Sequence, residues 1–386
     1  MDIAKVTTDN NRQKKLLKEL HDIVDRPIRL MVACGTQHRT ILQHGFLNQL
    51  PEEIDIVSGP GCSVCVMPAG HVDAFIKIAV QSDVITAACS DLIKVPGSNE
   101  SLESVMKKGA RVEIISSPMD ALDIASREPG KIVVYPAVGF EATAPSVAET
   151  ILVAAQRGLE NFCVIPSIRL LPPTIDLLMR DPELNIQGLL SSDHFNTISD
   201  TEAYTVIAQK HHIPCCLAGF EVTEILEGIV SLVKQIKNGQ SFFDNTSAFV
   251  YSSKETMQAR EMVSEVFFAV DTLWRGLGSI KNSGFVIRDE LSLYDATKRF
   301  SIRFSEGQEE GFCQCNAIIS GRGLPPDCPA FGMACTTQNP IGPCMIADEG
   351  ICSSYFKYNN NTMMSDKNKT DFPLSSDLNM KCVSHA

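Results

Sequence analysis

A chain of 386 residues is longer than one hydrophobic core usually organises, so two or three domains are expected. Its 46 acidic residues outweigh 34 basic ones, for a net charge of −12, which argues against nucleic acid as a partner. No apolar run approaches the roughly 18 residues that span a bilayer, and Met1-Asp2-Ile3-Ala4-Lys5 has no signal core, so a cytoplasmic protein with no membrane partner is expected. In that compartment glutathione opposes structural disulfides, and 14 cysteines imply reduced thiols, a metal cluster or catalytic cysteines.

The first predicted element is a helix over residues 8 to 23, capped by Asp9 or Asn10 and carrying an apolar stripe of Leu16, Leu17, Leu20 and Ile23. Short β-branched runs follow at 28–34, 54–57, 84–89, 112–116, 132–138, 162–168 and 213–218, separated by helix-like segments. Such alternation predicts α/β architecture, with parallel sheets covered by helices. Cys34 ends the first run, the position where open α/β sheets place ligands. A buried small hydrophobe is its bland alternative.

After the second run comes Gly59-Pro60-Gly61-Cys62-Ser63-Val64-Cys65, and Pro68 then marks the start of an amphipathic helix. A C-x-x-C pair can close a disulfide or share a metal, and a nearby helix N-terminus favours its thiolate. Cys89, Cys163, Cys215 and Cys216 lie inside apolar runs and read as core.

Gly139-Phe140-Glu141 and Gly219-Phe220-Glu221 each follow an apolar run and precede a helix-like stretch. The echo suggests two related α/β units facing one cleft; two dipole-favoured helix-start glutamates explain it equally well. Asp91, Glu141, His194 and Glu221 are candidate cleft residues, as is His38. No G-x-G-x-x-G, Walker loop, H-E-x-x-H or G-x-S-x-G is present, so nucleotide-site and hydrolase readings lose support.

A helix is expected from Lys254 through Val270, and after it the chain becomes rich in Gly, Pro and Cys. The domains read as 1–130, 131–253 and 254–358, with a polar, disordered tail over 359–386. Cys313, Cys315, Cys328, Cys335, Cys344 and Cys352 crowd a segment with few apolar anchors, so thiolate–metal ligation must hold it. The irregular spacing suits an iron-sulfur cluster better than the paired knuckles of a zinc ribbon, and zinc stays the alternative.

Over roughly residues 26 to 358 the sequence resembles the HypD family of hydrogenase-formation proteins. The resemblance is carried by Cys34-Gly35-Thr36, the Gly59–Pro68 stretch, Val95-Pro96-Gly97 and Ser117-Pro118-Met119-Asp120-Ala121-Leu122. Both Gly-Phe-Glu motifs, Trp274-Arg275-Gly276-Leu277-Gly278, Cys328-Pro329-Ala330-Phe331-Gly332, Gly342-Pro343-Cys344-Met345 and Glu349-Gly350-Ile351-Cys352 complete it. It implies two α/β domains and a third with a [4Fe-4S] cluster, ligated here by Cys315, Cys328, Cys335 and Cys352, with Cys313 and Cys344 as bystanders.

It further implies that Cys34, with a cysteine of a HypC-type small chaperone, holds a transient Fe(CN)2CO iron, and that Cys62 and Cys65 exchange electrons. A HypE-type cyanide donor and, indirectly, a hydrogenase large-subunit precursor are the other implied partners. The sequence departs from the family pattern at Gln37, where histidine is usual, at Val32, Ser63 and Ala142, and at Asp193. An amide binds iron weakly, so Gln37 motivates an alternative: a stand-alone thiol-disulfide or electron-transfer paralogue without the iron scaffold.

Overall fold

The computed structural model describes residues 3–192, 201–247, 253–308, 311 and 313–359. The first helix, α1 (Ile3–Ile23), starts five residues ahead of its expected beginning at residue 8. β1 (Ile28–Val32) follows and pairs in parallel with β2 (Ile54–Ser58), with Leu30 opposite Ile56. Between them runs α2 (Gly35–Gln43), and after β2 comes α3 (Ala69–Ala79), with Pro68 at its N-cap as expected.

Then the chain leaves this sheet and builds another. β3 (Val84–Cys89), β4 (Val112–Ile115), β5 (Ile132–Gly139) and β6 (Phe162–Ile168) form a four-stranded parallel sheet in the order β4-β3-β5-β6. Only afterwards does it return. β7 (Gly188–Ser192), β8 (Cys215–Ala218) and β9 (Phe243–Asn245) complete a five-stranded sheet ordered β2-β1-β7-β8-β9. Every pair in both sheets is parallel, and both carry helices, as the alternating pattern predicts.

This topology redraws the expected domains. The cut at residue 130 falls between β4 and β5, which flank β3 in one sheet. Apolar periodicity identifies strands but not their partners, because parallel pairing is set by long crossovers. The boundary near 254 also moves. The expected helix there, Ser253–Val266, ends before β10 (Phe267–Trp274), which pairs antiparallel with β11 (Gly278–Ile287). Val263, Val266, Phe267 and Ile287 join the core of the four-stranded sheet, so the cysteine-rich region begins later in the chain. The 360–386 segment lies outside the described residues.

Burial explains the cores. Leu30, Met31, Leu189 and Leu190 are fully buried in the centre of the five-stranded sheet, each contributing about 1.5–3 kcal/mol by leaving water. Cys163, Cys215 and Cys216 are buried strand residues whose thiols burial pushes up to about 12, in keeping with packing roles. Cys89 differs, being only partly buried at the end of β3. Among the described residues no helix is long and apolar enough to cross a membrane.

Candidate functional site

Cys34 leaves β1 in extended backbone and occupies the N-cap position of α2. The loop around it is fastened on three sides. Ala33 N–H donates to the Leu190 carbonyl of β7 at 2.8 Å, Gly59 N–H to Val32 at 2.9 Å, and Gly35 N–H to Gly61 at 3.1 Å. Gly61 is packed so closely that a Cβ there would lie 2.6 Å from the Cys34 Cα. The C-x-x-C loop therefore rests directly on the Cys34 backbone. From the other direction, Thr36 Oγ1 donates to Glu349 at 2.8 Å, tying the same loop to the segment before Cys352.

Burial pushes the Cys34 thiol up to about 11, a hydrogen bond with the Ser192 side chain and N–H groups of α2 favour its charged form, and the Glu349 carboxylate opposes it. Ser192 ends β7, a strand absent from the sequence-based reading because Gly-Leu-Leu-Ser-Ser lacks a β-branched run.

Gln37 has an architectural job. Its buried amide Nε2 donates to the carbonyls of Ser191, Ala218 and Gly219 at 3.1, 2.9 and 3.0 Å. One side chain thus gathers the ends of β7 and β8 against α2. Its amide nitrogen holds backbone at this position.

Cys62 and Cys65 are joined by a disulfide, with their Cα atoms 5.2 Å apart. They sit in a turn of their own within the loop that joins β2 to α3, the strand-to-helix position expected of them. Within it, Cys65 N–H lies 3.2 Å from Cys62 Sγ and 3.0 Å from the Cys62 carbonyl.

Six cysteines line one small cavity: Cys313, Cys315, Cys328, Cys335, Cys344 and Cys352. Cys315 and Cys344 are paired as a disulfide, with Cα atoms 6.6 Å apart. Cys313, Cys328, Cys335 and Cys352 keep free thiols. Burial first, and then the charges of Cys313, Cys335 and Cys328, push the Cys352 thiol well up; Cys313 is raised by burial and by Cys328 and Cys335. Of the four cysteines that the family resemblance implies as ligands, Cys328, Cys335 and Cys352 are thus free and Cys315 is paired with Cys344.

Gly342 makes room in the nest, where a Cβ would meet Cys313 Sγ at 2.8 Å. Among the described residues no three His, Cys, Asp or Glu side chains converge on a single metal ion. The nest cysteines nevertheless share one continuous buried body with Cys62 and Cys65.

The remaining expected cleft residues scatter. His38 is buried against Tyr355 with ring centroids 6.2 Å apart, and desolvation pushes it down to about 3, so it stays neutral. Asp91 is exposed at the end of β3, beside Cys89 rather than Cys34. Glu141 is buried and accepts the Leu171 N–H at 2.5 Å, while Glu221 is an exposed N-cap whose N–H donates to Glu224 at 3.2 Å. The two Gly-Phe-Glu motifs do end strands, but in different sheets and with different work. His194 lies outside the described residues.

Fold and site together define an α/β protein in which a strand-end cysteine is held between a C-x-x-C turn and a C-terminal cysteine nest. The family profile described as HypD, "Hydrogenase formation hypA family", matches residues 11–359. The chain is 35% identical to "Hydrogenase maturation factor HypD2" of Bradyrhizobium diazoefficiens, covering 86% of this chain and 90% of that one. "Hydrogenase maturation factor HypD" of Azotobacter vinelandii and of Escherichia coli are each 34% identical, with the same coverage. The chain belongs to the HypD family of hydrogenase maturation factors.

Proposed function

We propose that this chain is an iron-assembly scaffold in nickel-iron hydrogenase maturation. With a HypC-type small chaperone it holds the iron that becomes Fe(CN)2CO, a HypE-type partner delivers cyanide, and the hydrogenase large-subunit precursor receives the product. The observation that carries this reading is the placement of Cys34, a free thiol at a strand end between the Cys62–Cys65 turn and the Glu349 segment of the cysteine nest.

Each residue has a part. Cys34 anchors the iron cargo; an empty thiol pushed up to about 11 stays protonated near neutral pH, and the proton leaves when metal takes the sulfur. Ser192 favours the charged sulfur, and Gln37 holds the strand ends that frame it. The Cys62–Cys65 pair stores two electrons, taking up two protons as its S–S bond opens to the dithiol.

A [4Fe-4S] cluster suits the nest, because each of a cubane's four irons takes its own thiolate and four free thiols line this cavity. Cys313, Cys328, Cys335 and Cys352 would hold it, and when bound it would supply single electrons.

The test is an infrared spectrum of protein purified without oxygen after co-expression with the other maturation proteins. Cyanide and carbonyl stretching bands that vanish in Cys34→Ala are expected. Their absence from the folded wild-type complex overturns the scaffold reading and favours a stand-alone redox protein.

A further inference from the structure

The turn between β10 and β11 lies in the seam between the Cys62–Cys65 turn and the cysteine nest. At its head, Arg275 is only 6% exposed. Its backbone N–H donates to the Val66 carbonyl at 2.7 Å, and its side-chain Nε donates to the Met67 carbonyl at 2.9 Å. Those two carbonyls close the turn that opens at Cys62. On the opposite side, a Cβ on Gly276 would collide with the Asn316 side chain, next to Cys315, and the Gly276 φ of +70° is one that glycine adopts without strain.

A second buried guanidinium stands nearby. Arg169, 0% exposed, donates to the carbonyls of Ser167 and Leu273 at 3.2 and 3.1 Å. Burial first and then repulsion from Arg275 bring it down to about 9. Through Ser167 it borders the C-x-x-C segment, for Ser167 Oγ lies 2.8 Å from His71 Nδ1 and 3.9 Å from Met67 Sδ.

A turn held at its carbonyl end keeps its N–H groups aimed back at its start. Here the Cys65 N–H lies 3.2 Å from Cys62 Sγ. A hydrogen bond of this kind stabilises a thiolate far more than a disulfide sulfur, because the acceptor is then charged. Cationic groups beside the sulfurs act in the same direction.

We propose that Arg275 is a positioning residue for the Cys62–Cys65 couple, fixing the turn so that the reduced pair is favoured and its reduction potential is raised. This rests on reading Cys62 and Cys65 as a working redox couple. Reduction opens the Cys62–Cys65 bond with two electrons and two protons, or one proton where Cys62 remains a thiolate. A dithiol such as dithiothreitol supplies them and closes its own ring disulfide.

The experiment equilibrates the full chain, purified without oxygen, in dithiothreitol buffers of graded ratio and reads Cys62 and Cys65 by alkylation and mass spectrometry. Arg275→Met is expected to lower the equilibrium constant for reduction about tenfold, a shift of about 30 mV to more negative potential. Arg275→Lys, which keeps a cationic donor, should recover most of it. Equal constants for wild type and Arg275→Met, within twofold, overturn the proposal.

Wild type alone gives a second test should Arg275→Met fail to fold. The slope of its potential against pH should halve below the ordinary thiol value of about 8.5, where Cys62 stops taking up its proton. A full two-proton slope up to that pH overturns the proposal. If the wild-type pair instead resists reduction in the folded chain, the redox reading of the pair falls, and the Arg275 proposal with it.

Discussion

Two strand-end cysteines invite comparison. Cys34 follows β1 and stands at the N-cap of α2; Cys89 ends β3 and stands at the N-cap of the Ser90–Ile93 helix. Both are in extended backbone, and burial raises both thiols. Their neighbours differ. Cys34 meets the Ser192 side chain, the C-x-x-C loop and the segment leading to the cysteine nest. Cys89 has the Tyr135 hydroxyl at 3.9 Å and the carboxylates of Asp91 and Asp120, which oppose its ionisation. A thiol at the end of a parallel strand is thus a feature of the architecture, and chemistry enters only through what the rest of the chain brings to it.

The largest test of that contrast removes each sulfur in turn. Cys34→Ala should abolish hydrogenase maturation in cells lacking the native gene, whereas Cys89→Ala should leave it within about twofold of wild type; equal losses would erase the distinction drawn here. A smaller effect is expected at the staple. Gln37→Leu leaves the Ser191, Ala218 and Gly219 carbonyls without their donor, at a cost of about 1–3 kcal/mol for each buried group left unsatisfied. Chemical denaturation should show that loss, and the reactivity of Cys34 toward alkylation should rise as the strand ends loosen.

The smallest effect lies at the joint between the two sheets. Burial alone would raise the Asp176 carboxyl, but hydrogen bonds from Lys210, His211 and Arg180 overcome it and hold it well below the usual carboxylate range. These bonds link the helix after β6 to the helix before β8. A carboxyl depressed in the folded state contributes stability above its unfolded value, near 3.9, and loses that contribution as pH falls toward the folded value. Asp176→Asn should therefore cost about 1 kcal/mol or less at pH 7, with the difference from wild type shrinking below pH 4 in denaturation curves taken across that range.

The sequence made part of this legible. Alternating β-branched runs located seven of the nine strands of the two parallel sheets, missing β7 and β9. The glycine-flanked pair and the cysteine crowd marked the chemical segments. What stayed hidden has physical causes. β7 is short and carries serines, yet it is the strand that supplies Ser192 and the acceptor for Ala33. Gln37 looks like a lost ligand in a linear motif, because its three acceptors come from strands more than 150 residues away.

The order in which the strands are laid down carries a last consequence. Ribosomal synthesis delivers Cys34 early, but the strands and segment that frame it, β7, β8 and Glu349, come after the whole of the four-stranded sheet. Domains of a nascent chain fold as their residues emerge, N-terminal parts first. A chain truncated by premature termination or proteolysis anywhere before Glu349 would present a Cys34 thiol with an incomplete frame. The frame around Cys34 is thus complete only once synthesis has passed Glu349, so the enclosure of this thiol is a late event in the making of the chain.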